Sequence, residues 1–379
     1  MSDAYPIGIE EEYFLADAET KNAVPRMPKA LMRRCKEALG DQVQTELLQS
    51  QIEVATPICR SLEDARKALR HCRQSLAEAT AEFDMALFAA GTHPLAEWSE
   101  QEPTDKPRYH KIADDLKILA RRNMLCGMHV HVEIADPHQR LDVMNRILPF
   151  LPVLLGLSTS SPFWRKHTTG LMGYRLAAYD ELPRTGIPEF FPDLADYNGY
   201  VDTLVSAGVI EDATHIWWSI RPSLRFPTLE LRIADSCTHL EDTLCIAALY
   251  RCLARALQRR PDINATWRNH TRLLIEENRW RAQRNGTSEG LIDINNKRIT
   301  PFADVIEDIL RLIEEDAAAL GCIPEVAHAR QILVRGTSAA QQLALYREKR
   351  QAGASRIEAL RAVVGWLIAT TRQVAARPA

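Results

Sequence analysis

The sequence predicts an α+β fold in which one antiparallel sheet forms a concave funnel and helices cover its other face. Three observations support this fold class. Four segments before residue 240 alternate with a period of two, as strands do when one face is buried. Each of them places carboxylate, imidazole or guanidinium groups on one face. From Leu240 onward the chain is almost wholly helical in its periodicity. We expect one domain over residues 1–379, with a sheet-forming part at 1–239 and a mainly helical part at 240–379.

Composition and charge are those of a globular protein. Charged residues make up 26% of the 379 residues, and the formal net charge is -3. This balance does not predict a nucleic-acid partner, because no basic field extends over the domain. We expect no membrane partner either, since no apolar run approaches the roughly 20 residues of a membrane helix. The eight cysteines form no Cys-x-x-Cys pair and are expected to be buried free thiols. A cytoplasmic location is expected.

The first predicted strand, residues 8–15, carries three adjacent carboxylates. Side chains alternate along a strand, so Glu10 and Glu12 share one face while Glu11 lies on the other beside Ile9 and Tyr13. Two like charges on one face repel each other unless a cation lies between them. A hard divalent ion such as Mg²⁺ would satisfy both carboxylates. The alternative is an edge strand whose glutamates face water.

The following segments predict a helix, a second strand and a second helix. Residues 25–40 form a short helix that ends at a glycine, and residues 46–57 are interpreted as one strand. Glu53 lies in that strand and points away from the apolar residues on either side, toward a site or toward solvent. A capping box at Ser61 opens a helix that runs toward Met85.

A buried strand and turn are then expected at 86–94, followed by a polar, irregular stretch at 95–122. Residues 126–134 alternate again, with His129 and His131 on one face. Imidazoles that share a strand face suit metal or phosphate chemistry, although a structural pair with polar partners is the alternative.

Residues 137–157 predict an apolar helix kinked at Pro149 and Pro152. The long segment that follows, to about residue 212, is rich in glycine, proline, arginine, aspartate and tyrosine. Its length predicts functional loops, and we expect a lid over a site at 164–212.

Residues 215–222 and 228–235 predict a hairpin that closes the sheet. Glu230 and Arg232 share a face there. They form either a plain ion pair, or a site in which Glu230 is a metal ligand and Arg232 stabilises the charge of a transition state. Helices are then expected at 240–259, 265–283, 302–320, 325–334, 338–351 and 355–376. This half offers the surface for an expected homodimer.

Six motifs together resemble the glutamate–cysteine ligase type 2 family, the bacterial carboxylate–amine ligases of the glutamine synthetase-like superfamily. The motifs are Gly8-Ile9-Glu10-Glu11-Glu12, Gln51-Ile52-Glu53-Val54, Gly91-Thr92-His93-Pro94, Gly127-Met128-His129-Val130-His131, Ser161-Pro162-Phe163-Trp164 and Thr228-Leu229-Glu230-Leu231-Arg232. The resemblance spans residues 7 to about 235. It implies a glutamine synthetase-like sheet whose concave face is the active-site funnel.

The resemblance also implies roles for individual residues. One metal would be held by Glu10, His129 and Glu230, and a second by Glu12 and Glu53, with Glu46 as a less secure addition. Arg232 matches the arginine placed against the transferred phosphoryl group, and it is assigned with Glu53 to catalysis. His131, Arg221 and Arg175 are assigned to nucleotide binding. The implied cofactor is Mg²⁺, with Mn²⁺ as the alternative, and ATP is the co-substrate.

The implied reaction joins glutamate, or a similar carboxylate, to cysteine or another small amine through an acyl phosphate. Two other functions stay open at this point. A metal-dependent hydrolase is suggested by the His-x-His strand, because zinc enzymes with barrel folds use the same pair. A nucleotide-binding protein without turnover is the other, and a titration of ATP beside an assay for ADP would separate it from a ligase.

Overall fold

The computed structural model describes residues 4–268, 270–294 and 296–373, apart from the side chain of Arg108. The described strands are β1 (Ile7–Asp17), β2 (Val43–Thr45), β3 (Gln51–Ala55), β4 (Met85–Phe88), β5 (Met128–Glu133), β6 (Phe163–Trp164), β7 (His167–Thr168), β8 (Ile220–Pro222), β9 (Thr228–Leu231), β10 (Leu291–Asp293) and β11 (Arg298–Thr300). Seven of them form one antiparallel sheet in the order β2-β3-β1-β5-β9-β8, with β4 paired to the end of β1. The predicted α+β class is confirmed.

The helices lie mostly behind and beyond this sheet. They are α1 (Lys29–Leu39), α2 (Leu62–Ala81), α3 (Pro107–Leu116), α4 (Ile118–Arg121), α5 (Pro137–Ile147), α6 (Leu151–Ser158), α7 (Tyr174–Tyr179), α8 (Leu194–Ser206), α9 (Leu240–Arg259), α10 (Thr271–Asn285), α11 (Phe302–Leu312), α12 (Glu314–Ala319), α13 (Ile323–Arg335), α14 (Ser338–Gln351) and α15 (Arg356–Arg372). α2 and α9 pack behind the sheet, and α9 is buried along most of its length.

The first strand organises the sheet because β3, β4 and β5 all pair with it. Its alternation is as predicted. Ile7, Ile9 and Tyr13 are buried in the core behind the sheet, whereas Glu10 and Glu12 project from the opposite face. The apolar side of β1 therefore fixes which carboxylates reach the funnel.

Glu11 is the exception on the apolar side, and it is fully buried. Arg73 of α2 binds it with two hydrogen bonds, Nη2 to Oε1 at 2.6 Å and Nε to Oε2 at 3.0 Å. The hydroxyls of Thr243 (2.6 Å) and Tyr13 donate to the same carboxylate. Arg73 also donates to the backbone oxygens of Cys237 (2.8 Å) and Thr238 (2.9 Å). This buried network joins β1, α2 and the start of α9.

Several predicted segments differ from the structure. The strand expected at 46–57 is β3 alone, because residues 46–50 turn between the short strand β2 and β3. The stretch at 95–122, expected to be irregular, contains α3 and α4. The stretch at 158–212 contains α7, α8 and the small hairpin β6–β7. Of these short elements, α3, α4 and α7 line the funnel.

The helical half also differs in detail. The helix expected at 265–283 begins only at Thr271, and the one expected at 302–320 is divided into α11 and α12. The hairpin β10–β11 interrupts this half and was not predicted. The cysteine prediction is confirmed, because all eight are free and buried.

The apolar stretch Pro137–Ser158 corrects the expectation that no run approaches the length of a membrane helix. By length and composition alone it could cross a membrane. Its most apolar window is 78% buried within the protein, and a 3₁₀ turn at Leu148–Phe150 separates α5 from α6. The predicted kink is therefore present, and the stretch lies in the hydrophobic core.

Candidate active site

The polar face of the sheet forms the floor of a cleft of about 330 Å³. Strands β1, β3, β5, β8 and β9 contribute to its floor, while α3, α4 and α7 contribute to its walls. Every residue predicted for the site lines this one cleft: Glu10, Glu12, Glu53, His129, His131, Arg175, Arg221, Glu230 and Arg232. The chain thus brings together groups that lie as far as 222 positions apart in the sequence (232 minus 10).

Strand register accounts for this convergence. Glu10 lies opposite His129, and Glu12 lies opposite Glu53. On the other side of β5, His131 lies opposite Glu230. Residues opposite one another on a sheet have their Cβ atoms about 5 Å apart, so these side chains must interact.

The first group of possible metal ligands consists of Glu10, His131 and Glu230, whose ligand atoms all lie within 4.8 Å of one another. Glu10 Oε1 is 3.4 Å from His131 Nε2, and Glu10 Oε2 is 3.1 Å from His129 Nδ1. The resemblance grouped His129, rather than His131, with the two glutamates. His131 completes the compact trio because it lies opposite Glu230 in the register.

Two arginines hold Glu230 in place. Arg221 Nε lies 2.8 Å from its Oε2, and Arg232 Nη1 contacts its Oε1. Burial opposes ionisation, but Arg232 and Arg221 lower the pKa of Glu230, so this carboxylate is charged. Loss of water contact likewise opposes ionisation of Glu10, whose pKa is nevertheless lowered by its hydrogen bonds to His129 and His131.

The second group is an acidic cluster formed by Glu12, Glu46 and Glu53. Removal from water and repulsion by Glu46 raise the pKa of Glu12 to about 8. The same two causes raise the pKa of Glu53 well above its usual value. Only one backbone donor, Gly127 N at 2.6 Å from Glu12 Oε2, is seen among the described hydrogen bonds to Glu12. Arg175 and Arg232 also lower the pKa of Glu12, but they do not offset its removal from water and the repulsion by Glu46.

His129 connects the two groups and fits a role as a ligand. Burial lowers the pKa of His129 to about 4, so its imidazole is neutral at pH 7 and keeps a lone pair. Its Nε2 is buried, has no hydrogen-bond partner among the described residues, and lies 3.9 Å from Glu12 Oε1. A divalent cation would satisfy this nitrogen and the acidic cluster together. Hard oxygen ligands of this kind suit Mg²⁺ or Mn²⁺.

Arg175 lies across the floor of the cleft beside these acids. Its Nη1 donates to the backbone oxygen of Ala234 at 3.2 Å, and its guanidinium lies 5.5 Å from the ring centroid of Tyr179. It can lie there because residue 127 is glycine: a Cβ at Gly127 would come within 2.1 Å of Arg175 Nη2. Arg232 Nη2 lies 3.3 Å from the hydroxyl of Tyr179.

The structure adds residues that the sequence did not single out. Tyr179 and Trp217 line the cleft, as do Leu224 and Phe226 of the β8–β9 turn. The opposite end is lined by side chains of α3 and α4. The spacing of Ile112, Leu116 and Ala120 was available as a signal, but charged neighbours obscured it.

Sequence comparisons identify the family of this chain. The model of the family described as glutamate-cysteine ligase family 2 matches residues 6–362. A protein from Rhodospirillum rubrum named "Putative glutamate--cysteine ligase 2" is 53% identical over 372 residues, which cover 97% of this chain and 96% of that protein. A protein of the same name from Jannaschia sp. is 46% identical over 364 residues, covering 96% of each chain.

Two solved structures share the fold at low identity. A glutamate–cysteine ligase from Francisella tularensis, solved in complex with AMP, has a TM-score of 0.67 at 12% identity and covers 99% of this chain and 95% of that one. A bifunctional glutathione synthetase from Pasteurella multocida has a TM-score of 0.67 at 16% identity, covering 97% of this chain and 53% of that one. The chain therefore belongs to glutamate–cysteine ligase family 2 and is a ligase-like enzyme that forms C–N bonds.

Proposed function

We propose that this enzyme uses ATP and a divalent cation to join glutamate, or a similar carboxylate, to cysteine or another small amine through an acyl phosphate. The observation that carries the proposal is the convergence of acids, imidazoles and arginines in one cleft. Family membership and the ligase relatives support it as well.

The metal positions follow from the donors. Glu10 and Glu230 would hold one cation with His131 or His129, and Glu12 and Glu53 would hold another beside Glu46. Bound there, the cations would neutralise negative charge on the phosphates of ATP. Mg²⁺ is the cation we propose, with Mn²⁺ as an alternative.

The arginines would act on the phosphoryl group itself. In the first step an oxygen of the substrate carboxylate attacks the terminal phosphorus of ATP, the bond to ADP breaks, and an acyl phosphate forms. Arg232, already oriented by Glu230 and Tyr179, would donate hydrogen bonds to the oxygens on which charge develops. Arg221 and Arg175 would hold the remaining phosphate oxygens, and His131 would add a further polar contact.

In the second step the amine nitrogen attacks the acyl carbon, phosphate leaves, and the amide remains. The amine must lose a proton during this step. The leaving phosphate can accept it, and Glu53 would contribute to catalysis by holding the second cation beside the reacting groups. This is the catalytic role that we propose for Glu53. The amino-acid and ATP substrates are consistent with a cytoplasmic location.

The test is release of ADP from the purified protein given ATP, Mg²⁺, glutamate and a panel of small amines. We expect ADP to form only when both a carboxylate and an amine are present. Hydroxylamine is a useful member of the panel, because it traps an acyl phosphate as a hydroxamate without needing a side-chain pocket. Absence of ADP across the panel would refute the proposal.

A matched pair of variants tests the role of arginine. Arg232→Met should reduce the rate of ADP release by at least about 100-fold, in line with the loss of one donor to a developing oxyanion. Arg225→Met is the control, since Arg225 also lines the cleft but is exposed at its rim. Equal losses in the two variants would show that general positive charge, and not the position of Arg232, matters.

A further inference from the structure

Two of the six family motifs contribute no side chain to the lining of the cleft in the part of the chain that the structure describes. They are residues 91–94, which follow β4, and residues 161–164, which include β6. One buried carboxylate, that of Asp235, lies against both of them. Because the two motifs meet at this carboxylate, a role for Asp235 would account for both.

The carboxylate of Asp235 is fully buried and lies against two serines. Its Oδ2 accepts hydrogen bonds from the backbone N–H of Ser160 at 3.0 Å and from the hydroxyl of Ser161 at 2.6 Å. This packing requires glycine at residue 91, because a Cβ on Gly91 would lie 2.7 Å from the Asp235 carboxylate and 2.9 Å from Ser161 Cβ. A buried carboxylate is costly without such hydrogen bonds. The first motif therefore makes room for the carboxylate, and the second supplies a hydrogen bond to it.

The hydroxyl of Ser161 connects Asp235 to the start of α7. A serine hydroxyl has one hydrogen to donate. Because Asp235 accepts that hydrogen, the lone pairs of Ser161 Oγ can accept, and the backbone N–H of Arg175 donates to this oxygen at 2.9 Å. The backbone oxygen of Ser161 accepts a second hydrogen bond, from the N–H of Tyr174 at 3.1 Å.

These hydrogen bonds replace a side-chain cap at the start of α7. The helix begins at Tyr174, and its N-cap residue, Gly173, has no side chain that could bind the first N–H groups. Such groups have no partner within the helix and need acceptors from elsewhere. Ser161 binds the N–H groups of Tyr174 and Arg175, the first two residues of the helix. The orientation of the first turn of α7 therefore depends on Ser161.

Arg175 is the residue of this first turn that lines the cleft. Its Nη1 donates to the backbone oxygen of Ala234, the residue before Asp235, at 3.2 Å. Burial raises the pKa of Asp235, and the charge of Arg175 is the largest effect that opposes this rise. An ionised Asp235 therefore attracts the guanidinium of Arg175. The segment at Ala234 and Asp235 thus supports Arg175 both at its backbone and at its side chain.

We propose that Asp235 and Ser161 are positioning residues for Arg175. The carboxylate orients the Ser161 hydroxyl, the hydroxyl fixes the first turn of α7, and that turn directs Arg175 to the cleft. This inference rests on the proposed function, in which Arg175 binds phosphate oxygens of ATP. It adds two residues outside the lining of the cleft, which act on the nucleotide only through Arg175.

The experiment measures the Kd for ATP in the presence of Mg²⁺ by calorimetry. Asp235→Asn keeps an oxygen that accepts from Ser161 but removes the charge, whereas Ser161→Ala removes both hydrogen bonds of the hydroxyl. Each substitution should raise the Kd about three- to tenfold, the effect of losing one hydrogen bond. Arg175→Met should raise it at least about tenfold, because hydrogen bonds between charged groups are lost. Ser161→Ala removes no charge, so it keeps the test possible if Asp235→Asn does not fold.

A double variant separates positioning from a general loss of structure. If Ser161 acts through Arg175, Ser161→Ala should change the Kd by less than about twofold when it is combined with Arg175→Met. Two independent effects would instead multiply. The comparison therefore depends on the coupling of the two residues and not on the stability of either variant.

Asp242→Asn is the matched control. Asp242 is 3% exposed, and its carboxylate accepts hydrogen bonds from His328 Nε2 at 2.8 Å and from Arg335 Nη2 at 2.5 Å. These three residues are outside the lining of the cleft. The substitution should lower the urea midpoint because it disturbs a buried ion pair, but it should leave the Kd for ATP unchanged.

The outcomes separate the inference from the function on which it rests. An unchanged Kd in Asp235→Asn and Ser161→Ala would overturn the positioning role alone, and so would a full effect of Ser161→Ala in the Arg175→Met protein. The same conclusion would follow if Asp242→Asn weakened ATP binding as much as Asp235→Asn. A wild type that binds ATP but releases no ADP with any amine would overturn the proposed reaction, while the Kd values would still decide the positioning role. A wild type that does not bind ATP would overturn both.

Discussion

The buried ion pair behind the sheet leads to a prediction about stability. Glu11→Gln keeps the shape of the side chain but removes its charge, and it leaves the Arg73 guanidinium, which is 1% exposed, without its counter-ion. Breaking a buried pair by neutralising one partner costs about 3–5 kcal/mol. In urea, with an m-value of about 3 kcal/mol/M, a loss of 3 kcal/mol would lower the unfolding midpoint by about 1 M.

Two comparisons make this prediction specific. Glu97→Gln removes surface ion pairs with Arg165 and Lys166, whose side chains are 54% and 33% exposed, and it should cost less than about 1 kcal/mol. The double variant Glu11→Met with Arg73→Leu replaces both charges with apolar groups. It should recover part of the loss, because no uncompensated charge stays in the core.

The pH dependence of the effect follows from the direction of the pKa shift. Burial opposes ionisation of Glu11, but Arg73 lowers the pKa of Glu11 below its usual 4.5. A group with a depressed pKa stabilises the folded state fully above the unfolded pKa and loses that contribution as the pH falls through the folded pKa. The difference between wild type and Glu11→Gln should therefore be constant near pH 7 and shrink below about pH 4.5. Urea titrations at several pH values measure it, and a cost under 1 kcal/mol at pH 7 would refute the reasoning.

Three further predictions concern the cleft. Gly127→Ala should displace the Arg175 guanidinium and lower kcat/KM at least about tenfold, while the urea midpoint changes little. An unchanged kcat/KM would show that the position of Arg175 is not needed. Removal from water and Glu46 raise the pKa of Glu12 to about 8, so protons compete with a metal ion for this carboxylate below that pH. The affinity for Mn²⁺ should therefore rise as the pH increases toward 8. Calorimetry on wild type and Glu12→Gln measures this affinity, and equal pH profiles for the two proteins would contradict the prediction. If residues 164–212 act as a lid, ATP with Mg²⁺ should slow proteolysis within them, and unchanged cleavage would remove that hypothesis.

The sequence predicted those strands of the sheet that bury one face in the core and carry the site residues on the other. The alternation in β1, β5 and β9 is unambiguous, because a period of two in apolar residues can be satisfied in few ways. The same rule placed Glu10, Glu12, Glu53 and Glu230 on one face, as observed.

What the sequence could not supply is register and the short elements over the cleft. Alternation places His129 and His131 on the same face, but only the pairing of β5 with both β1 and β9 decides that His131 approaches Glu10 and Glu230. α3 was missed although Tyr109, Ile112, Ala113 and Leu116 recur at the spacing of one helix face, because the charged residues between them obscured that pattern. Asp193, which caps α8, was a local signal that could have revealed that helix.

The alternation of three glutamates in β1 has a consequence for how this strand can change. Inserting or deleting one residue before Ile9 would turn Glu11 toward the cleft and its two neighbours toward the apolar interior, where Arg73 is the cation that binds Glu11. Point substitutions can alter one function at a time, whereas a shift in spacing would damage folding and chemistry at once. Length in this segment should therefore be far less variable than composition.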